Sequence, residues 1–303
     1  MTSRIASFPN SNGLIAQSLQ LQADYNTTSA QASSGLKAQY FSGISGDTKE
    51  LVNLSSQYQS ITNYGSNITH ATNKLNVIQD VVSSINDLLS TVKSQLTSIG
   101  SGTNGNSNGA LTTTQANSWK TQLASLLNTQ YAGEYLFGGS VTDTAPVNLS
   151  AAGYAPTSFS TADTGYYQGN SASNSVRASK DLTVTFGITA NNSAFEQVFR
   201  SLSILAADPT TSATITSTQN MISSAFNSVA DMSSDLTTKI NILNNESQMQ
   251  SATLEHLSSS ISSLRDVDIA AASANLSQLN TQLQASYSAL ALVLKMNLST
   301  YLR

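Results

Sequence analysis

The chain has 303 residues, 13 Lys plus Arg against 17 Asp plus Glu, a net charge of -4 and no cysteine; 39% of it is hydrophobic and only 10% charged. Without Cys there is no disulfide framework, thiolate nucleophile or Cys-ligated metal, and scattered basic residues make no cationic stripe for phosphates, so nucleic acid is not expected as a partner. No apolar run approaches the roughly 18 to 20 residues that cross a bilayer, so no membrane insertion is expected, and Met1 to Gln20 lacks the apolar segment of a cleaved secretory signal.

Near the N-terminus Ile15, Leu19, Gln22 and Tyr25 keep helical spacing. Leu51, Leu54, Tyr58 and Ile61 begin a heptad rhythm, and after a stammer at Tyr64 it runs on through Ile68, Ala71, Leu75, Ile78, Val82, Ile85, Leu89, Val92, Leu96 and Ile99. This predicts one long helix over about 47–99, closed by Gly100. A shorter amphipathic helix is predicted over about 115–131, from the spacing of Ala116, Trp119, Leu123, Leu126 and Gln130. Over 134–190 glycine and proline become frequent, and Leu182-Thr183-Val184-Thr185-Phe186 alternates with the period of a strand. A small β-rich insertion that projects from the helices is expected there.

The last third repeats the heptad design. Ile222, Phe226, Val229, Ser233, Leu236, Ile240, Leu243, Ser247, Gln250, Leu254, Leu257, Ile261 and Leu264 hold the alternation, with polar members that lower stability but set register. Antiparallel packing of the two long helices, with Leu51 against Leu264, is expected. From Ile269 to Leu294 there is no charged side chain, although Ile269, Ala272, Leu276, Leu279, Leu283, Leu290 and Leu294 keep helical spacing. A solvated surface helix carries a charged outer face. An uncharged one is expected to be frayed when alone and ordered when surrounded by copies of itself and of the N-terminal stripe.

The fold class expected is therefore mainly α: a long antiparallel coiled-coil helical bundle formed by both chain ends, with a small β-rich domain inserted in the middle. Its parts are terminal helices over 1–45 and 265–303, which form the core of a polymer, a coiled-coil bundle over 46–133 and 191–264, and the surface insertion over 134–190. The assembly interface is assigned to Ile15, Leu19, Ile269, Leu276, Leu279, Leu283, Leu290 and Leu294. The coiled-coil core is assigned to Leu75, Ile78, Val82, Ile85, Leu89, Leu254, Leu257 and Ile261.

Candidate chemistry is thin. Gly100-Ser101-Gly102-Thr103-Asn104-Gly105 fits the dinucleotide-loop pattern, but a coiled-coil helix precedes it where that loop needs a strand, so a turn is expected. His70 and His256 are the two histidines; in the expected pairing they lie about 16 Å apart along the axis, too far to share a metal. Asp47 and Glu50 suit a helix N-terminus, and Asp266 and Asp268 suit a cap on the terminal helix. Trp119 and Tyr135 read as packing anchors. No catalytic, metal or cofactor site is assigned, and the chain is not expected to be an enzyme.

Several ordered motifs resemble the flagellar axial proteins, the flagellin family. Ser33-Ser34-Gly35-Leu36-Lys37 is similar to the N-terminal signature of that family, although Gln39-Tyr40-Phe41-Ser42-Gly43 replaces the acidic stretch that usually follows it. Gly133-Glu134-Tyr135-Leu136-Phe137-Gly138-Gly139, with Thr142-Asp143-Thr144-Ala145-Pro146-Val147, resembles the branch that joins hook to filament. Tyr166-Tyr167-Gln168-Gly169-Asn170 and Phe195-Glu196-Gln197-Val198-Phe199 are similar to that branch too, and Leu264-Arg265-Asp266-Val267-Asp268 resembles the family's C-terminal signature. Leu88-Leu89-Ser90-Thr91-Val92-Lys93 lacks the Arg and Glu by which some flagellins are sensed by innate receptors.

The resemblance implies a structural subunit, secreted through the flagellar type III pathway without a cleaved signal peptide and assembled outside the cell. Its partners would be copies of itself, hook-associated protein, flagellin and an export chaperone. A hook-filament junction role is the leading expectation and a filament-forming flagellin the alternative. Two others stay open: a chemoreceptor-like signalling coiled coil, and an extracellular enzyme or adhesin carried on the insertion.

Overall fold

The computed structural model describes residues 3–40, 43–44, 46–100 and 109–301, with side chains described for all of these except 3–11, 109–111 and 294–301. Among the described residues six helices and four short strands follow one another: α1 (Ser3–Ser34), α2 (Thr48–Gly100), α3 (Gly109–Leu127), β1 (Gln130–Tyr131), β2 (Glu134–Tyr135), β3 (Asn174–Arg177), β4 (Thr183–Phe186), α4 (Ser193–Ala207), α5 (Ser212–Arg265) and α6 (Ile269–Tyr301). The fold is mainly α, as the heptad patterns require. Two compact units divide it: one holds 1–60 and 253–303, the other 61–252.

In the second unit the heptad seam of α2 becomes its core. Leu75, Ile78, Val82, Ile85, Leu89, Val92 and Leu96 are fully buried, together with Ile222, Ala225, Val229 and Leu243 of α5. Each such side chain contributes about 1.5 to 3 kcal/mol by leaving water. The helices run antiparallel: Gln79 Nε2 donates to Ser233 Oγ (2.6 Å), and Gln219 Nε2 donates to the Leu96 carbonyl (2.8 Å). Gly65 faces Gln250, which is the register obtained by placing Leu51 opposite Leu264.

Two expectations are corrected. The helix expected over 115–131 is α3, which starts at Gly109 and ends at Leu127. It stops there because Asn128 pairs its side-chain amide both ways with the Val147 backbone (2.9 Å each), and Gln130 and Tyr131 enter a hairpin with Glu134 and Tyr135. The turn of that hairpin is Ala132-Gly133, both at positive φ (52° and 85°), the geometry that two-residue hairpins favour.

The stretch from 191 to 264, assigned to the bundle without a division into helices, holds two helices, α4 and most of α5. Asn192 caps α4 by accepting from the Ala194 N–H (3.0 Å), and the helix closes at Asp208, before Pro209. Proline cannot supply the next N–H. Asp208 then accepts from the hydroxyls of Thr211 (2.9 Å) and Thr214 (3.2 Å), and the Thr211 bond above all holds its carboxyl below the usual range.

The insertion does not project as a separate knob; it is folded down on the helices. Val176, Val184 and Phe186 of the β3–β4 hairpin are buried in the same core cluster as α2 and α5. Gln250 Nε2 donates to the Ala178 carbonyl (2.5 Å), and Lys74 pairs with Glu134 (3.2 Å). The strand pattern itself holds: Val184 and Phe186 face inward, Thr183 and Thr185 outward. Around the hairpin, Tyr166 is fully buried, donates to the Ala190 carbonyl (2.9 Å) and stacks edge-on with Tyr154. Burial pushes the Tyr154 hydroxyl up to about 12 and raises that of Tyr166 further. At Gly139 an added Cβ would lie 2.2 Å from the Asn170 carbonyl, so only glycine permits that approach.

Candidate assembly surface on the terminal helices

In the first unit α1 and α6 pack along each other. They run antiparallel, since Ser18 Oγ meets Ser286 Oγ (2.6 Å) while the C-terminal end of α1 meets the start of α6. The face that α6 turns inward is a heptad stripe: Ala272 and Leu283 are buried, and Leu276, Leu279, Ser286, Leu290 and Val293 half-buried. On α1 the matching stripe is Leu14, Ser18, Leu21 and Tyr25. Ser18 at its centre donates to the Leu14 carbonyl (2.9 Å) besides meeting Ser286, so the polar pair is satisfied where the two helices touch.

Apolar side chains are also left over outside this contact. Ile15 (43% exposed), Leu19 (61%), Ile269 (55%), Tyr287 (48%) and Leu292 (63%) face solvent. Around them the exposed residues of α6 are Ala, Ser, Asn, Gln and Thr, with no charge from 269 to 293. The residues assigned from sequence to assembly thus divide: Leu276, Leu279, Leu283 and Leu290 lie on the intrachain stripe, while Ile15, Leu19 and Ile269 are free. Gln22 is exposed and Tyr25 is on the intrachain side. The side chain of Leu294 lies outside the described residues. In the coil, Leu75, Ile78, Val82, Ile85 and Leu89 are fully buried and Leu257 is buried, whereas Leu254 and Ile261 are half-buried.

The two helices are clasped where the N-terminal and C-terminal motifs meet, a contact that the sequence reading missed. After α1, Gly35 turns the chain at φ +72° and returns its N–H to the Gln31 carbonyl (2.9 Å), a left-handed helix stop. Its own carbonyl then accepts from the Val267 N–H (2.9 Å), and the Lys37 N–H donates to the Arg265 carbonyl (2.8 Å), so that Leu36 bridges Asp266 as a one-residue antiparallel ladder. The Lys37 ammonium also donates to the Ser263 carbonyl. Asp268 caps α6, accepting from the N–H groups of Ala270 (2.9 Å) and Ala271 (3.1 Å). Asp266 is not a second cap: it pairs with Arg265 (2.7 Å), whose hydrogen bond holds its carboxyl below the ordinary range. The signal in the sequence was Gly35, a helix-stop residue two positions before Lys37.

At Gly35, alanine would have to hold a left-handed conformation that disfavours L-residues by about 1 to 2 kcal/mol. Gly35→Ala is expected to loosen the clasp by that amount, and Gly35→Asn by less, because Asn tolerates positive φ. Hydrogen exchange of the Lys37 and Val267 amides measures both; equal protection in all three proteins would contradict the expectation.

Nothing comparable gathers around a chemical centre. Among the described residues no three His, Asp or Glu side chains converge to hold a metal ion. His70 and His256 are both exposed and lie in different units. Gly100 is the last residue of α2, and Ser101 to Gly105 lie outside the described residues. Trp119 is buried against the core, and Tyr135 is half-buried in β2. No described helix is long and apolar enough to cross a membrane.

Residues 219–302 match the family model of the bacterial flagellin C-terminal helical region, a stretch that takes in most of α5 and all of α6. No curated protein sequence matches the chain. Among solved structures, the fold is similar to that of a protein from Vibrio parahaemolyticus described as a flagellar hook-associated protein (20% identity, 71% of this chain and 96% of that one covered, TM-score 0.58). It is also similar to flagellar hook-associated protein 3 of Legionella pneumophila (13% identity, 70% and 98% covered, TM-score 0.57) and to FlgL of Bacillus cereus (12% identity, 65% and 98% covered, TM-score 0.50).

Proposed function

We propose that this chain is a structural subunit of the bacterial flagellum, of the type that joins hook to filament, and that it assembles with its neighbours through α1 and α6. The observation that carries the reading is the apolar surface left over: α1 and α6 already use one apolar face on each other, yet keep Ile15, Leu19, Ile269 and Leu292 in water, and α6 has no charge from 269 to 293. A soluble helix pair gains nothing from such a face, whereas stacking copies would bury it. The match of 219–302 to the flagellin C-terminal helical region supports the reading for Ile269 and Leu292, which lie within that range. The hook-associated fold favours the junction role.

On this reading the role is structural rather than enzymatic. Its partners are other copies and the neighbouring axial proteins, hook-associated protein and flagellin, and an export chaperone shields the free stripe before assembly. The protein is secreted by the flagellar type III pathway, without a cleaved signal peptide, to the flagellum outside the cell. The proposed division of labour keeps the terminal helices, 1–45 and 265–303, for the polymer core, 46–133 and 191–264 for the coiled-coil bundle, and 134–190 for the outer surface. A second reading, filament flagellin, is favoured by the family match alone. Deleting the protein is expected to leave hooks intact and remove filaments in electron micrographs of the cell surface. Purified protein captured at hook ends supports the junction role, and seeded growth into long filaments supports flagellin. Normal filaments after deletion would refute both.

A further inference from the structure

The apolar seam of α2 is flanked on the side of α5 by a row at intervals of seven residues: Gly65, Thr72, Gln79, Asn86, Lys93 and Gly100. Its contacts with α5 are individual. Gln79 donates to Ser233, Lys93 lies over the Phe226 ring (5.5 Å to its centroid), and the two glycines meet the two long amides of α5. An ideal Cβ on Gly100 would sit 3.0 Å from Gln219 Nε2, and one on Gly65 3.6 Å from Gln250 Oε1. Thr72 Oγ1, Gln79 Oε1, Asn86 Oδ1 and Gln250 Oε1 are all shielded from solvent without a hydrogen-bond partner among the described residues.

Such groups lower stability, since a buried acceptor has given up water and gained nothing. Their effect is on choice. The neighbouring Leu, Ile and Val side chains of the seam are nearly interchangeable, so a slip of one heptad would preserve their packing. The same slip would bring Gln219 against Lys93 or Gln250 against Thr72, where a side chain stands in place of the glycine hydrogen. We propose that this row is a register and partner lock: it confines α2 to α5 of its own chain, in one register, and discourages pairing of long helices between copies. Polar positions beside a coiled-coil seam set register and partner in this way at a cost in stability. The inference does not depend on the proposed function.

Because the chain has no cysteine, two engineered labels report register without background, and they are placed off the row so that the lock stays intact in the parent. Ser84→Cys in α2 and Asp231→Cys in α5, both at exposed positions, are spin-labelled in the parent and in a variant carrying Thr72→Val, Gln79→Leu and Asn86→Leu. The parent is expected to give one intrachain distance. A slip of one heptad moves a label by about 10 Å, so the variant, which is expected to unfold about 5 °C higher or more, is expected to show further distances in about half of its molecules and a dimer in sedimentation. A variant that keeps the parent's single distance and the parent's mass overturns the proposal. Thr72→Val and Asn86→Leu are also measured singly, as the smallest changes of shape; a lower midpoint in both would show that the row stabilises the pair, and would overturn it too.

Discussion

Replacing Leu19 and Leu292 together by Asp is expected to abolish assembly while leaving the helix content and thermal midpoint of the monomer unchanged. Both side chains stand more than half in water, at 61% and 63% exposure, so a carboxylate at either position keeps its hydration in the monomer. In an assembly each leucine would contribute about 1.5 to 3 kcal/mol by burial, and each aspartate would instead have to lose its hydration without a partner. Loss of only 3 kcal/mol raises the concentration needed for assembly roughly 100-fold. Binding to isolated hooks and light scattering read the first effect, and circular dichroism of the dilute protein the second. Leu279→Asp provides the contrast. Leu279 is half-buried on the stripe that faces α1, so its replacement should block assembly and also unpair α1 from α6, with loss of helical signal. Undiminished assembly of the double variant would mean that the exposed stripe is not the contact surface.

The other large effect lies in the second unit. Arg200 and Glu196 form a buried ion pair one turn apart on α4, at 2.9 Å with side chains 7% and 3% exposed. Each also holds the irregular loop above: Glu196 Oε1 accepts from the Asp163 N–H (2.9 Å), and the Arg200 guanidinium donates to the Phe159 carbonyl. Arg200→Met is expected to destabilise this unit by about 3 to 5 kcal/mol, because it leaves the Glu196 carboxylate buried and unmatched. Adding Glu196→Gln should recover part of the loss, since a neutral amide can still accept from Asp163 while requiring no counter-charge. Urea denaturation gives the stability difference, and proteolysis within 155–165 reports the freed loop. If Arg200→Met alone unfolds at the parent's urea concentration, the pair contributes no net clamp.

How far the sequence was legible depends on the kind of interaction. The heptad seam of α2 was readable residue by residue from Ile68 to Leu96, because in a long helix each apolar position is held by neighbours at fixed spacing along the same chain. The alternation in Leu182 to Phe186 was readable for the same reason, and so was the antiparallel direction of the two seams. The end of α3 was not. Its helical spacing runs on to Gln130, but the backbone of Val147, 19 residues further on, offers Asn128 a better use of its amide. Likewise the break between α4 and α5 was marked only by Asp208-Pro209, inside a stretch whose composition does not change.

The docking of the insertion was also hidden. Gln250 reads as one polar lapse in a coiled-coil seam; in the folded chain it is the donor that receives the hairpin at Ala178. The assembly surface shows the same limit more sharply. Leu19 and Leu283 look alike in sequence, each one apolar member of a helical stripe, yet one is exposed and the other buried.

By itself, then, the sequence determined that the chain is built of long helices with apolar stripes, that its last helix carries no charge through most of its length, and that it has no thiol. Those properties follow from residue type and local period, which do not depend on where distant segments lie. Only the tertiary structure decided which stripe of α1 and α6 is consumed within the chain and which is left free. It also brought Gly35 and Val267 together as a clasp and laid the insertion against the helices. Each of these is a choice among partners far apart in sequence, settled by which pairing buries the most apolar surface while still satisfying the backbone.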